Sequence, residues 1–167
     1  ETDIIIASIG VVPDSELAKN AGLKMTSKGA VEVDEYLKTS DSDIYAVGDV
    51  IEVTNAVTGQ KTLVPLAGPA NKQGRTAADN ILGREEKYTG TVGTSIMKFF
   101  NMTAASTGVN EKYLKKQNIN YKSLFIIKVD HAGYYPGASD IHFKVLFEPE
   151  TGKIFGAQAV GEKGADK

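Results

Sequence analysis

Thr39-Ser40-Asp41-Ser42-Asp43-Ile44-Tyr45-Ala46-Val47-Gly48-Asp49 is the stretch whose reading decides the fold. A polar turn leads into four apolar residues, Ile44 to Val47, which end in Gly-Asp. A short continuous apolar run of this kind predicts a strand buried on both faces of a parallel sheet. In open parallel sheets, ligands collect outside the carboxyl ends of the strands. Gly48 has no Cβ and lets the backbone approach a ligand, while Asp49 offers a carboxylate that can accept hydrogen bonds from sugar-like hydroxyls. A Gly-Asp pair alone is equally an exposed turn after a strand; the order of the eleven residues is what gives the run weight.

Upstream, Ile4-Ile5-Ile6-Ala7 reads as another buried parallel strand, followed by Ser8-Ile9-Gly10-Val11-Val12-Pro13-Asp14. Asp14 is placed to cap a helix over Ser15 to Asn20, with Gly22 as its stop. Val31-Glu32-Val33 alternates like a short strand. Downstream, Asn55 to Lys61 carries Thr58-Gly59 and predicts a hairpin or excursion. Pro69 suits the first position of a helix in which Ala70, Gln73, Ala77, Ala78, Ile81 and Leu82 supply helix formers with an apolar stripe, and Gly83 lies just beyond its end.

From about residue 91 the texture becomes strand-rich. Ser95 to Phe100 and Thr103 to Ser106 predict strands joined by an Asn101-containing turn, and Glu111 to Gln117 a short charged helix. Tyr121 to Val129, Ile141 to Phe147 and Ile154 to Val160 predict three more strands, with Glu148-Pro149-Glu150-Thr151-Gly152 as the last hairpin turn. The expected fold is α/β followed by α+β with an antiparallel sheet. The expected boundary lies between Tyr88 and Thr91, giving domains of residues 1–90 and 91–167.

Composition excludes several function classes. A net charge of -2 over 167 residues argues against nucleic acid or an anionic membrane as the main partner. No apolar stretch approaches the roughly 20 residues of a membrane span, and no signal-peptide pattern opens the sequence. With no cysteine, the chain holds no disulfide, Cys-ligated zinc or thiolate nucleophile. Cytoplasm is the expected compartment. His131 and His142 have no third ligand at useful spacing, so no metal site is expected. Nothing matches Gly-x-Ser-x-Gly, a P-loop or Gly-x-Gly-x-x-Gly.

The Thr39 to Asp49 run resembles the second flavin-binding motif of the FAD-dependent pyridine nucleotide-disulfide oxidoreductases, in which the matching Asp holds the ribityl chain of FAD. The resemblance implies cofactor-binding roles for Gly48 and Asp49. Four further segments resemble the same family, in its chain order. The segment with Gly10, Pro13 and Asp14 is similar to the exit from the NAD-binding domain toward the FAD domain. The family's usual Asn is Asp14 here, and both are good helix caps. Leu63 to Asn80 resembles the loop and helix beside the flavin ring, implying that Leu66, Ala67, Gly68 and Pro69 face the cofactor. A helix N-terminus favours negative charge, and reduced flavin carries it near N1 and the C2 oxygen.

His131-Ala132-Gly133-Tyr134-Tyr135-Pro136-Gly137, with Lys144, resembles the dimerisation domain of the coenzyme A-disulfide reductase and NADH oxidase branch. There a tyrosine reaches the partner subunit's reactive sulfur, which implies a catalytic role for Tyr134 or Tyr135. A phenol stays protonated at neutral pH and can donate to a thiolate. Packing at a dimer interface is the alternative for the pair. His131 reads as a loop or interface residue, since the His-Pro-Thr motif of the glutathione-reductase-like branch is absent. Lys112, Lys115 and Lys116 read as a solvated helix face. Gly156 to Gly161, then Gly164 to Lys167, resembles the last dimer-domain strand entering an interface helix.

The resemblance thus implies the end of an NAD-binding domain and the C-terminal part of an FAD-binding domain over 1–90, then a truncated dimerisation domain over 91–167. It implies FAD and NAD(P)H as cofactors, a homodimer, and a small disulfide such as CoA disulfide or polysulfide as substrate. Glu1 is not an initiator residue, and the Gly-rich motifs and redox cysteine of the family are not in the sequence. The chain therefore reads as a flavoenzyme fragment, inactive and without FAD by itself. An NADH oxidase and a non-enzymatic dimerisation or binding module are the alternatives.

Overall fold

The computed structural model describes residues 2–166, so Glu1 and the Lys167 end of the expected interface helix lie outside the described residues. The chain divides into two compact units. The first runs through Val53 and resumes over Thr62–Thr89; the second takes Thr54–Lys61 and everything described from Gly90 onward.

In the first unit, helix α1 spans Glu16–Asn20. Its N-cap is Ser15 rather than Asp14, and the Ser15 hydroxyl donates to the Gly29 carbonyl at 2.5 Å instead of capping the helix. Gly22 ends the helix as expected, its N–H donating to Lys19 O and that of Leu23 to Ala18 O. Helix α2 spans Ala67–Ile81, with Leu66 as N-cap. Pro69 is therefore its third residue, not its first; this is tolerated because the opening N–H groups of a helix have no intrahelical partner to lose. Beyond its C-terminus, Gly83 N–H reaches Asn80 O and Arg84 N–H reaches Asp79 O.

The buried stripe of α2 is Gln73, Thr76, Ala77 and Asn80, at helical spacing. Ile81 and Leu82, expected on that stripe, are instead 65% and 75% exposed. The core is Val31, Leu37, Ile51, Val53, Ala77 and Tyr88.

Three of the expected strands do not form among the described residues. Ile4, Ile5 and Ile6 are 77–86% exposed, and no strand includes them. Val31 makes only single bridges, antiparallel to Met25 and parallel to Ile51. Ile44 to Val47 is extended with one bridge, Tyr45 to Lys38, and its end residues stay exposed. For Ile4 to Ala7 and Ile44 to Val47, the two runs expected to be parallel, the physical reason is the same. A parallel strand gains its hydrogen bonds and its cover from segments distant in sequence. The described residues supply no such neighbours.

The Asn55 to Lys61 segment is a hairpin: β1, Val53–Thr54, pairs with β2, Lys61–Thr62. The Asn55 carboxamide oxygen accepts the Val57 and Thr58 N–H groups and shapes its turn.

The second unit is a five-stranded antiparallel sheet. Its strands are β3 (Ser95–Phe99), β4 (Met102–Gly108), β5 (Lys122–Val129), β6 (Asp140–Phe147) and β7 (Ile154–Gly161), in the order β3-β4-β7-β6-β5. Helix α3, Glu111–Lys116, is capped by Asn110, whose Oδ1 accepts the Tyr113 N–H at 2.9 Å. Leu114 packs with Val109 and Leu146 to form this unit's core. Lys112, Lys115 and Lys116 point to solvent, as expected.

Candidate functional site

Two sets of sequence-predicted residues fall in different units, and each is built by its own elements. In the first unit, Gly48 opens a single 3-10 turn, Gly48–Val50, and holds φ 84°, a conformation that favours glycine. A Cβ built there would lie 4.0 Å from Ala70 Cβ, so the turn rests against the first turn of α2. The side chain of Gln73, 1% exposed, locks this arrangement. Its Oε1 accepts the Gly48 N–H at 2.6 Å, and its Nε2 donates to the Tyr88 hydroxyl at 3.2 Å. Gln73 was legible only as a helix former; a buried amide on one face of α2 leaves no sequence signature of its own.

Asp49 is exposed. It lines an open cleft of about 570 Å³ together with Pro13, Asp14, Val47, Leu63 and Pro65. Leu63 and Pro65 lead directly into Leu66, Ala67, Gly68 and Pro69, where α2 begins without any side-chain cap. Its first intrahelical bond runs from Ala70 N–H to Leu66 O. Ala67 and Gly68, both exposed, therefore carry N–H groups available to an external acceptor at the positive end of the helix dipole. The unit thus sets a carboxylate acceptor in a cleft whose Leu63 and Pro65 lead into a pair of backbone donors. A flavin fits this donor set: its ribityl hydroxyls need acceptors, and its electron-rich ring edge needs donors.

In the second unit, Tyr134 and Tyr135 lie in the loop between β5 and β6, where β5 is the edge strand of the sheet. Tyr134 is 83% exposed and Tyr135 59%. Their rings touch, with centroids 4.7 Å apart and planes inclined at 39°. The Tyr135 N–H donates to Ala132 O, closing a turn that presents both phenols. His131 lies in the same loop and pairs through Nδ1 with Asp130.

Lys144 does not join the tyrosines. It binds Glu111 across to α3, and the Tyr121 hydroxyl donates to the same carboxylate at 3.0 Å. The Lys144 ammonium, and after it the Tyr121 hydroxyl, hold the Glu111 carboxyl below its usual range. Among the described residues, no cluster of His, Asp or Glu is placed to hold a metal, and no helix is long and apolar enough to cross a membrane.

Comparison with known proteins finds one family along most of the chain. The family profile described as pyridine nucleotide-disulphide oxidoreductase matches residues 1–74, and the profile of that family's dimerisation domain matches 94–167. Reduced CoADR-RHD of Bacillus anthracis has a TM-score of 0.92 and 49% identity, covering 95% of this chain and 29% of that one. The CoA-dependent NAD(P)H sulfur oxidoreductase of Pyrococcus furiosus is 37% identical over 96% of this chain, and the chain spans 36% of its length. The NADH oxidase of Methanocaldococcus jannaschii is 39% identical over 96% of this chain, again across 36% of the relative. On the cleft of Gly48 and Asp49, the uncapped start of α2, the antiparallel second unit and these matches together, the chain belongs to the pyridine nucleotide-disulphide oxidoreductase family.

Proposed function

We propose that this chain is part of an FAD-dependent, NAD(P)H-driven reductase of a small disulfide, such as CoA disulfide or polysulfide. The observation that carries the proposal is the Asp49 carboxylate opening on one cleft with the residues that lead into the uncapped start of α2. FAD, when bound, accepts hydride from NAD(P)H and delivers electrons to sulfur. Asp49 would accept hydrogen bonds from the ribityl hydroxyls, and Gly48 would let the backbone approach the cofactor. The N–H groups of Ala67 and Gly68 would donate to the electron-rich flavin, with Leu66 and Pro69 holding the chain on either side of them.

Residues 94–167 match the dimerisation domain, which supports a homodimer. In it the Tyr134-Tyr135 loop approaches the partner's sulfur site. As the reactive thiolate bonds to one sulfur of the substrate and its S–S bond breaks, the departing thiolate takes a hydrogen bond from one of the phenols. Electrons drawn from NAD(P)H, and thiols kept reduced, agree with a cytoplasmic setting. The NADH oxidase reading keeps support from the relative of that name, and there the electrons pass to oxygen.

Tyr134→Phe and Tyr135→Phe in the flavoenzyme that carries this chain separate these readings. Each removes a phenol and keeps the ring. In rapid-mixing experiments one variant is expected to slow disulfide reduction roughly tenfold or more, with flavin reduction by NADH unchanged. Wild-type disulfide reduction in both variants would reject the catalytic role of the loop.

A further inference from the structure

The loop that carries the tyrosines is long and exposed, yet its base is tied by one carboxylate. The β5–β6 ladder ends at the pair Val129 and Asp140. One step further, Asp130 N–H donates to Ser139 O at 3.0 Å, and Ser139 N–H returns a bond of 2.8 Å to Asp130 Oδ1. The other carboxylate oxygen, Oδ2, lies 2.9 Å from His131 Nδ1. The Asp130 side chain is only 5% exposed, whereas the loop it closes is open to solvent from Ala132 to Gly137.

The segment after β7 backs this carboxylate. A Cβ at Gly164, whose φ is 77°, would come within 2.9 Å of both Asp130 Cβ and Ile141 Cδ1. The Ser139 hydroxyl takes no part in the closure: it is buried without a hydrogen-bond partner, so Ser139 acts through its backbone. A charge-assisted bond to a buried carboxylate is stronger than one between neutral groups.

We propose that Asp130 is a positioning residue for disulfide reduction: by clamping Ser139 N–H and His131 Nδ1 it fixes the turn that presents Tyr134 and Tyr135. This rests on the reading of that loop as facing the disulfide. Asp130 touches no substrate; it acts by reducing the number of conformations the phenols must give up when the reacting sulfur arrives.

The test uses the flavoenzyme that carries this chain, with Asp130→Ala, Asp130→Asn and Ser139→Ala, and two readouts. Amide hydrogen exchange of residues 131–138 reports the loop directly, and KM and kcat for CoA disulfide report its use. Asp130→Ala is expected to speed exchange roughly tenfold and to raise KM for the disulfide severalfold. Reduction of the flavin by NADH should keep its rate. Asp130→Asn retains an Oδ1 acceptor for Ser139 N–H and should restore most of both properties, and Ser139→Ala should match wild type. Asp130→Glu displaces the carboxylate by one methylene and is expected to loosen the loop in the same direction, covering the case in which the alanine variant does not fold. Wild-type exchange in both Asp130→Ala and Asp130→Glu would overturn the clamp. Faster exchange with unchanged KM would overturn the positioning role; combined with full activity of Tyr134→Phe and Tyr135→Phe, it would locate the failure in the reading of the loop rather than in the clamp.

Discussion

At the scale of single residues, Gln73 connects the core to the site. Its amide is buried, with one end on the Gly48 N–H and the other on the Tyr88 hydroxyl. Leaving a buried N–H without an acceptor costs about 1–3 kcal/mol. Gln73→Leu preserves size and helix propensity but removes the acceptor, so denaturant unfolding is expected to shift by that amount. Flavin affinity should fall with it, because Gly48 and Asp49 share the same 3-10 turn. Unchanged stability would show that the Gly48 N–H finds another partner. Leu37 shows a similar local cost: it is buried at φ 67° because the Asp34 carboxylate gathers the Tyr36 and Lys38 N–H groups around it. Neither device has a signature that a period or a motif would reveal.

At the scale of elements, β4 and β7 meet where two glycines face each other, Gly108 opposite Gly156. A Cβ on Gly156 would stand 2.1 Å from Val109 O and 2.9 Å from Thr107 O, both rigid backbone atoms. Gly156→Ala is therefore expected to destabilise the second unit by about 1–3 kcal/mol or more, read as a lowered thermal midpoint. A midpoint equal to wild type would mean that the strands can separate there at little cost. The register explains why the elements of this unit were legible. Its strands pair largely with neighbours in sequence, β3 with β4 and β6 with β7 across short turns such as Glu148 to Gly152. The runs Ile4 to Ala7 and Ile44 to Val47 carry an equally apolar pattern, but a parallel strand depends on remote partners, so the pattern alone did not make strands of them. Helix α2 was legible in length and end, while its buried face was not: polar Gln73, Thr76 and Asn80 turn inward because each can be satisfied there, as Asn80 is by Tyr36 O and Glu86 O at 2.8 Å.

At the scale of the whole molecule, the residues proposed to meet the cofactor and those proposed to meet the substrate fall in different units, and the chain spans 36% of the length of its Pyrococcus furiosus relative. The Gly48-Asp49 cleft and α2 lie in the first unit, and the tyrosine loop lies in the second. The central claim is that Asp49 is a direct ligand of FAD. A charge-assisted hydrogen bond of this kind is worth about 1.5–3 kcal/mol, or roughly ten- to hundredfold in affinity. Flavin content and dissociation constant measured for Asp49→Ala in the flavoenzyme that carries this chain test the claim most directly. Asp49→Ala is expected to give a flavin-depleted protein that rebinds FAD at least about tenfold more weakly, with its fold retained. Full flavin occupancy with wild-type affinity would contradict it.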